Sequence, residues 1–130
     1  MSDTTRIDGQ KLDMHPVRVA QWLAAKDEWE TAKGIFPIYV EVSPVGVCNH
    51  QCTFCSVDYI LDRDDHPALA FDVFARMLED MARNGILSVM FAGAGEPTLY
   101  RDKATGKDLA DIIVLCDELG IDTAITTNAT

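Results

Sequence analysis

Two kinds of apolar pattern alternate along this chain in a fixed order, and that order restricts the fold more than any other feature. The segment HPVRVAQWLAAKDEWETAK reads as a helix, with Pro16 in its first turn, Val19, Trp22 and Leu23 at helical spacing, and Gly34 as its stop. Residues 35–42 are β-rich, and Pro37 is tolerated only near the start of such a strand. Helical periodicity returns over 68–84 through Phe71, Phe74, Leu78 and Met81, closing at Asn84-Gly85. A short apolar run over 86–91 predicts a buried strand. Thr105-Gly106-Lys107-Asp108 then has capping-box spacing before a helical face of Leu109, Ile112, Ile113, Cys116 and Leu119, and Gly120 ends that helix. Residues 121–127 make a third strand.

A helix followed by β-α-β-α-β implies an α/β protein whose parallel strands are joined by right-handed crossovers. Such strands are normally covered on both faces, and a barrel leaves no free edge. Three strands cannot close, so the expectation is part of a partial parallel (β/α) barrel that belongs to a larger chain or assembly. The reading divides the chain into an N-terminal tail and helix, 1–34, and an incomplete core domain, 35–130.

Composition removes several classes of function. A net charge of −10 opposes sequence-independent nucleic-acid binding, which needs Lys and Arg against phosphates. The polar, acidic start MSDTTRIDGQKLD lacks the basic and apolar regions of a secretory signal, and every apolar run is too short for a bilayer. A cytoplasmic protein with no membrane partner is the expectation. Four cysteines would permit two disulfides, but three of them fall within eight residues, and reduced cytosolic thiols favour metal binding.

Those three, in Cys48-Asn49-His50-Gln51-Cys52-Thr53-Phe54-Cys55, have the spacing C-x3-C-x2-C on a long loop after the first strand. Long loops in compact domains tend to be functional. Three thiolates can hold three irons of a [4Fe–4S] cluster, leaving the fourth open to an amine and a carboxylate such as an amino acid offers. A structural zinc site completed by His50 is the alternative; it lacks the usual second ligand knuckle. A Cys52–Cys55 redox disulfide and plain unligated cysteines also remain open.

The C-x3-C-x2-C run, with aromatic Phe54 before the last cysteine and a strand just ahead, resembles the radical S-adenosylmethionine (SAM) superfamily. The similarity extends from about residue 35 to 128 and corresponds to the first three β/α units of that family's six-unit partial barrel. The resemblance implies that Cys48, Cys52 and Cys55 hold a [4Fe–4S] cluster. It also implies that the Phe54 backbone lies near the adenine of SAM, and that an electron donor such as flavodoxin or ferredoxin serves the cluster. The implied activity is reductive cleavage of SAM to a 5′-deoxyadenosyl radical that abstracts hydrogen from a substrate the sequence does not identify. The rival from another class is a catalytically silent metal-binding module, completed by a second chain that supplies further strands.

Gly93-Ala94-Gly95-Glu96-Pro97 closes the second strand, where ligand sites gather in parallel α/β folds. Gly95 would allow close approach to the backbone, and Glu96 could bond an ammonium group. The stretch fails the dinucleotide fingerprint, because the third glycine position is Thr98. It resembles the superfamily's Gly-Gly-Glu-Pro, with Ala94 in place of the first glycine, and so implies that Gly95 and Glu96 meet the methionine end of SAM. Thr126-Thr127-Asn128-Ala129 resembles the family's Thr-Asn-Gly ending to the third strand, which would put Asn128 near SAM or substrate. Cys116 reads as core, Trp22 and Trp29 as packing of the N-terminal helix, and Asp62, Asp64 and Asp65 as a solvated loop rather than a cation site. His15 and His66, each before proline, read as turn or cap residues.

Overall fold

The computed structural model describes residues 15–25, 27–57, 59, 65 and 67–130. The tail reading of the first dozen residues, Asp62 and Asp64 of the acidic loop, and His66 lie outside the described residues. The elements run α1 (Pro16–Ala25), α2 (Trp29–Ala32), β1 (Tyr39–Val42), α3 (Phe71–Arg83), β2 (Ser88–Phe91), a short 3-10 turn (Pro97–Leu99), α4 (Leu109–Glu118) and β3 (Asp122–Ile125).

The strands form one parallel sheet in the order β1-β2-β3. Tyr39, Ser88 and Asp122 share one level of the register, and Val42, Phe91 and Ile125 share the level nearest the C-terminal ends. This is the α/β architecture that the alternation predicts. α3 and α4 touch each other, and both contribute to the core against the sheet. That core joins Phe74 and Leu78 of α3, Val89 and Phe91 of β2, and Ile112 and Cys116 of α4, all fully buried. Phe74 stands edge-on to Phe91 at 6.2 Å and to Tyr100 at 5.6 Å between ring centroids, the arrangement the aromatic quadrupoles favour. The Tyr100 hydroxyl reaches the Leu69 carbonyl at 2.8 Å, so its buried polar end is satisfied.

Three local readings are corrected. The single N-terminal helix is two, α1 and α2, separated by a turn at Asp27 and an extended Glu28 (φ −120°, ψ 95°). Trp22 and Trp29 do not pack it, being 50% and 72% exposed. α1 is held instead by polar contacts, with the Arg18 guanidinium donating to the Phe36 carbonyl and, at 3.4 Å, to the Gly85 carbonyl. The capping box of α4 is not built from Thr105. Asp108 accepts from the Ala110 amide at 3.0 Å, and Asp111 accepts from the Asp108 amide at 2.9 Å. Thr105 is committed elsewhere, its amide and hydroxyl donating to Asp102 Oδ2 at 2.8 and 2.5 Å.

Candidate active site

The candidate site residues Cys48, Cys52, Cys55, Phe54, Gly95, Glu96 and Asn128 all follow the C-terminal ends of the three strands, and hydrogen bonds join these segments into one unit. The cysteine loop leaves β1 through a narrow neck. Val45 and Ala68 form an antiparallel bridge, flanked by bonds from the Gly46 amide to the Pro67 carbonyl (2.8 Å) and from the Leu69 amide to the Pro44 carbonyl (3.2 Å). Pairing the feet of a long loop limits how far its tip can wander. Beyond the neck Cys48, Cys52 and Cys55 are all half-buried free thiols. The Cys55 amide donates to the Cys52 carbonyl at 3.0 Å, a tight turn whose tip carries Phe54, 88% exposed.

The loop after β2 is locked against that neck. The Ala94 amide donates to Ser43 Oγ at 3.1 Å and the Glu96 amide to the Val47 carbonyl at 2.8 Å. Gly95 is required here by its own chain. A Cβ would lie 2.4 Å from the Val45 oxygen, 2.5 Å from the Val47 oxygen and 2.9 Å from the Val47 nitrogen, and these are immobile backbone atoms. The space beside Gly95 is thus taken up by the root of the cysteine loop.

Glu96 is 3% exposed, and its carboxylate is already engaged. Oε1 accepts from the Thr98 amide at 3.1 Å, the Thr98 hydroxyl at 2.7 Å and the Thr127 hydroxyl at 2.7 Å, while Oε2 accepts from the Asn128 amide at 2.8 Å. Burial alone works to raise its pKa. The bonds from Asn128, Thr127 and Thr98 outweigh burial and hold the group below the usual 4.5, as a buried carboxylate surrounded by donors requires. One carboxylate therefore caps the 3-10 turn and fastens the end of β3 to the end of β2.

From β3 the contacts return to the cysteines. Asn128 Nδ2 donates to Asn49 Oδ1 at 2.8 Å and lies 3.9 Å from Cys48 Sγ, which also receives the His50 amide at 3.4 Å. Asn49 Nδ2 donates to Thr130 Oγ1 at 3.0 Å, and Thr130 Oγ1 meets His50 Nε2 at 3.1 Å. Ala129 adopts φ 60°, in the left-handed region where glycine is free and alanine is not, at the place of the family's glycine.

Cys48, Glu96 and Asn128 thus meet within one network, and Gly95 and Phe54 lie on the loops it joins. Cys116 stands apart, wholly buried in the core, where burial pushes its thiol up to about 11. Sequence reasoning missed the partners of the threonines. Thr98 and Thr127 serve Glu96, and Thr130 serves Asn49 and Asn128; two of these contacts are local and two span 31 and 81 residues.

The donor set fits an iron–sulfur cluster. Three soft sulfur ligands lie on one loop, and two N–H groups point at the sulfur of Cys48, an arrangement that suits a cluster-bound sulfur. Among the described residues no three His, Cys, Asp or Glu side chains gather around a point fit for one metal ion. The His50 ring is engaged with Thr130. No helix among the described residues is long and apolar enough to cross a membrane.

Comparison with known proteins gives the family. The chain is 34% identical over 93 residues to the PqqA peptide cyclase of Rhodopseudomonas palustris (strain ATCC BAA-98 / CGA009), a match covering 72% of this chain and 22% of that protein. It is 32% identical over 91 residues to the putative protein YfkA of Bacillus subtilis (strain 168), covering 70% and 23%. The chain therefore spans roughly a fifth of the length of the curated relatives it matches. Its fold superposes on the crystal structure of Streptococcus suis SuiB bound to S-adenosylmethionine with a TM-score of 0.59 and 27% identity, over 89% of this chain and 30% of that one. Residues 42–130 match the family model of the radical SAM superfamily. With the cysteine loop, the Glu96 loop and the end of β3 clasped together at one end of a parallel sheet, the chain belongs to the radical SAM superfamily.

Proposed function

We propose that this chain carries the cluster-binding and SAM-binding part of a radical SAM enzyme, with residues 35–130 as an incomplete core domain after an N-terminal 1–34 segment. Cys48, Cys52 and Cys55 are the cluster ligands in this reading. When bound, the [4Fe–4S] cluster supplies the electron that splits SAM into methionine and a 5′-deoxyadenosyl radical for hydrogen abstraction from substrate. The chain's own residues bind and orient. The main chain at Gly95 and Glu96 meets the methionine end of SAM, the Phe54 backbone meets the adenine, and Asn128 borders the site. The Glu96 carboxylate, with four donors already on it, acts mainly by fixing that main chain. An electron donor of the flavodoxin or ferredoxin class and a cytoplasmic location belong to the same reading.

The observation that carries the proposal is the hydrogen-bonded ring that links Cys48, Glu96 and Asn128 across three strand ends. Ligand sites of parallel α/β folds lie at those ends, and a ligand shared between the loops would engage both motifs at once. Anaerobic reconstitution with iron and sulfide, then reduction in the presence of SAM, should yield a brown protein that releases 5′-deoxyadenosine. Cys52→Ala should lose the cluster. Stoichiometric zinc with no visible chromophore would overturn the proposal in favour of a silent metal-binding module.

A further inference from the structure

Of the three cysteines, Cys48 alone receives donors to its sulfur from the described residues, and one of these is a side chain from the segment that follows β3. The orientation of that side chain is determined by its neighbours. Asn128 Oδ1 accepts from the Thr130 amide at 3.2 Å and the Thr130 hydroxyl at 3.0 Å, which turns the NH2 group the other way. A primary amide has two N–H donors; one is satisfied by Asn49 Oδ1 and the other faces Cys48 Sγ. The backbone beneath is equally constrained, because the Asn128 amide is bound to the buried Glu96 carboxylate. Glu96 thus sets where Asn128 sits, and Asn128 aims a donor at sulfur.

We infer that Asn128 is a positioning residue that raises the reduction potential of the cluster by donating a hydrogen bond to the Cys48 sulfur. The inference rests on the proposal that Cys48, Cys52 and Cys55 hold a [4Fe–4S] cluster. Reduction adds negative charge to the cluster and its thiolates, and a donor aimed at one of those sulfurs stabilises the reduced state more than the oxidised one. The effect falls on one corner of the cluster. It also gives Asn128 a task distinct from touching SAM or substrate.

The test is an EPR-monitored potentiometric titration of the full chain, reconstituted anaerobically and measured without SAM. Asn128→Ala removes the donor and should shift the midpoint to a more negative potential at equal iron and sulfide content. Asn128→Asp keeps the size, the Glu96 bond and the acceptors for Thr130 while replacing the donor with charge, so its shift should be larger in the same direction. Melting curves of the apo proteins verify that both variants fold. A wild-type chain that takes up no cluster defeats the parent proposal, and this inference with it. A loaded wild type whose midpoint equals that of either loaded variant defeats the inference alone. Failure of both folded variants to retain a cluster also overturns it, because Asn128 would then serve assembly rather than potential.

Discussion

Replacing Glu96 tests the fold's dependence on a single buried carboxylate. Glu96→Ala removes the acceptor for four donors on Thr98, Thr127 and Asn128. Hydrogen bonds to a charged group contribute about 1.5–3 kcal/mol each, but the full sum overstates the loss. Thr98 and Thr127 are exposed and can rehydrate their donors, whereas the half-buried Asn128 amide recovers less. A net loss of about 3 kcal/mol follows. With an unfolding entropy of about 2.1 cal/mol/K per residue, a 130-residue chain loses roughly 10 °C in melting temperature.

Thermal unfolding by circular dichroism reads this directly, and pH supplies the control. The folded pKa of Glu96 is depressed, so the charged form is the stabilising one. Its contribution is complete above the unfolded value near 4.5 and fades as pH falls through the lower folded value. Glu96→Gln keeps the shape but must turn its NH2 group toward either the Asn128 amide or the three donors at Oε1. It should melt several degrees lower near neutral pH and converge on the wild type in acid. A melting temperature for Glu96→Ala within about 3 °C of wild type would refute the reasoning, since that corresponds to under about 1 kcal/mol. So would parallel acid limbs for wild type and Glu96→Gln.

Gly95→Ala forces a methyl group against three backbone atoms at 2.4–2.9 Å and should cost about 1–3 kcal/mol or more in urea denaturation. An unchanged midpoint would show that the neck and the Glu96 loop move freely apart. Cys116, fully buried with its thiol pushed up to about 11, should resist alkylation in the native apo protein while Cys48, Cys52 and Cys55 are modified. Mass spectrometry should find a fourth label only after denaturant is added, and early labelling of Cys116 contradicts the core assignment. Asp108→Ala removes the N-cap of α4 and should lower stability by about 1 kcal/mol, read as a few degrees in thermal melting.

What the sequence made legible is what depends on near neighbours. The strand–helix alternation follows from periodicity within single elements, and β1, α3, β2, α4 and β3 all lie within the spans it predicts. The cysteine spacing is likewise local. Errors arose where a residue had two possible partners and only the fold could choose. Thr105 stands at capping distance from Asp108, yet Asp102 takes both its amide and its hydroxyl, so the cap passes to Asp108 itself. Trp22 and Leu23 have helical spacing, but a pattern identifies a face without showing that anything covers it, and both are exposed. Glu96 is the most instructive position. Its place after β2 marks it as part of a ligand site, but Thr127 and Asn128 lie thirty-one and thirty-two residues away, and no local pattern pairs them with it. Those distant donors give the carboxylate a structural task that no local pattern announces. It is buried and accepts four bonds, three at Oε1 and one at Oε2, so its charge also anchors Thr98, Thr127 and Asn128. The consequence is physical coupling between the motifs: a change at Glu96 should be felt at Cys48, because a single residue, Asn128, bonds to both.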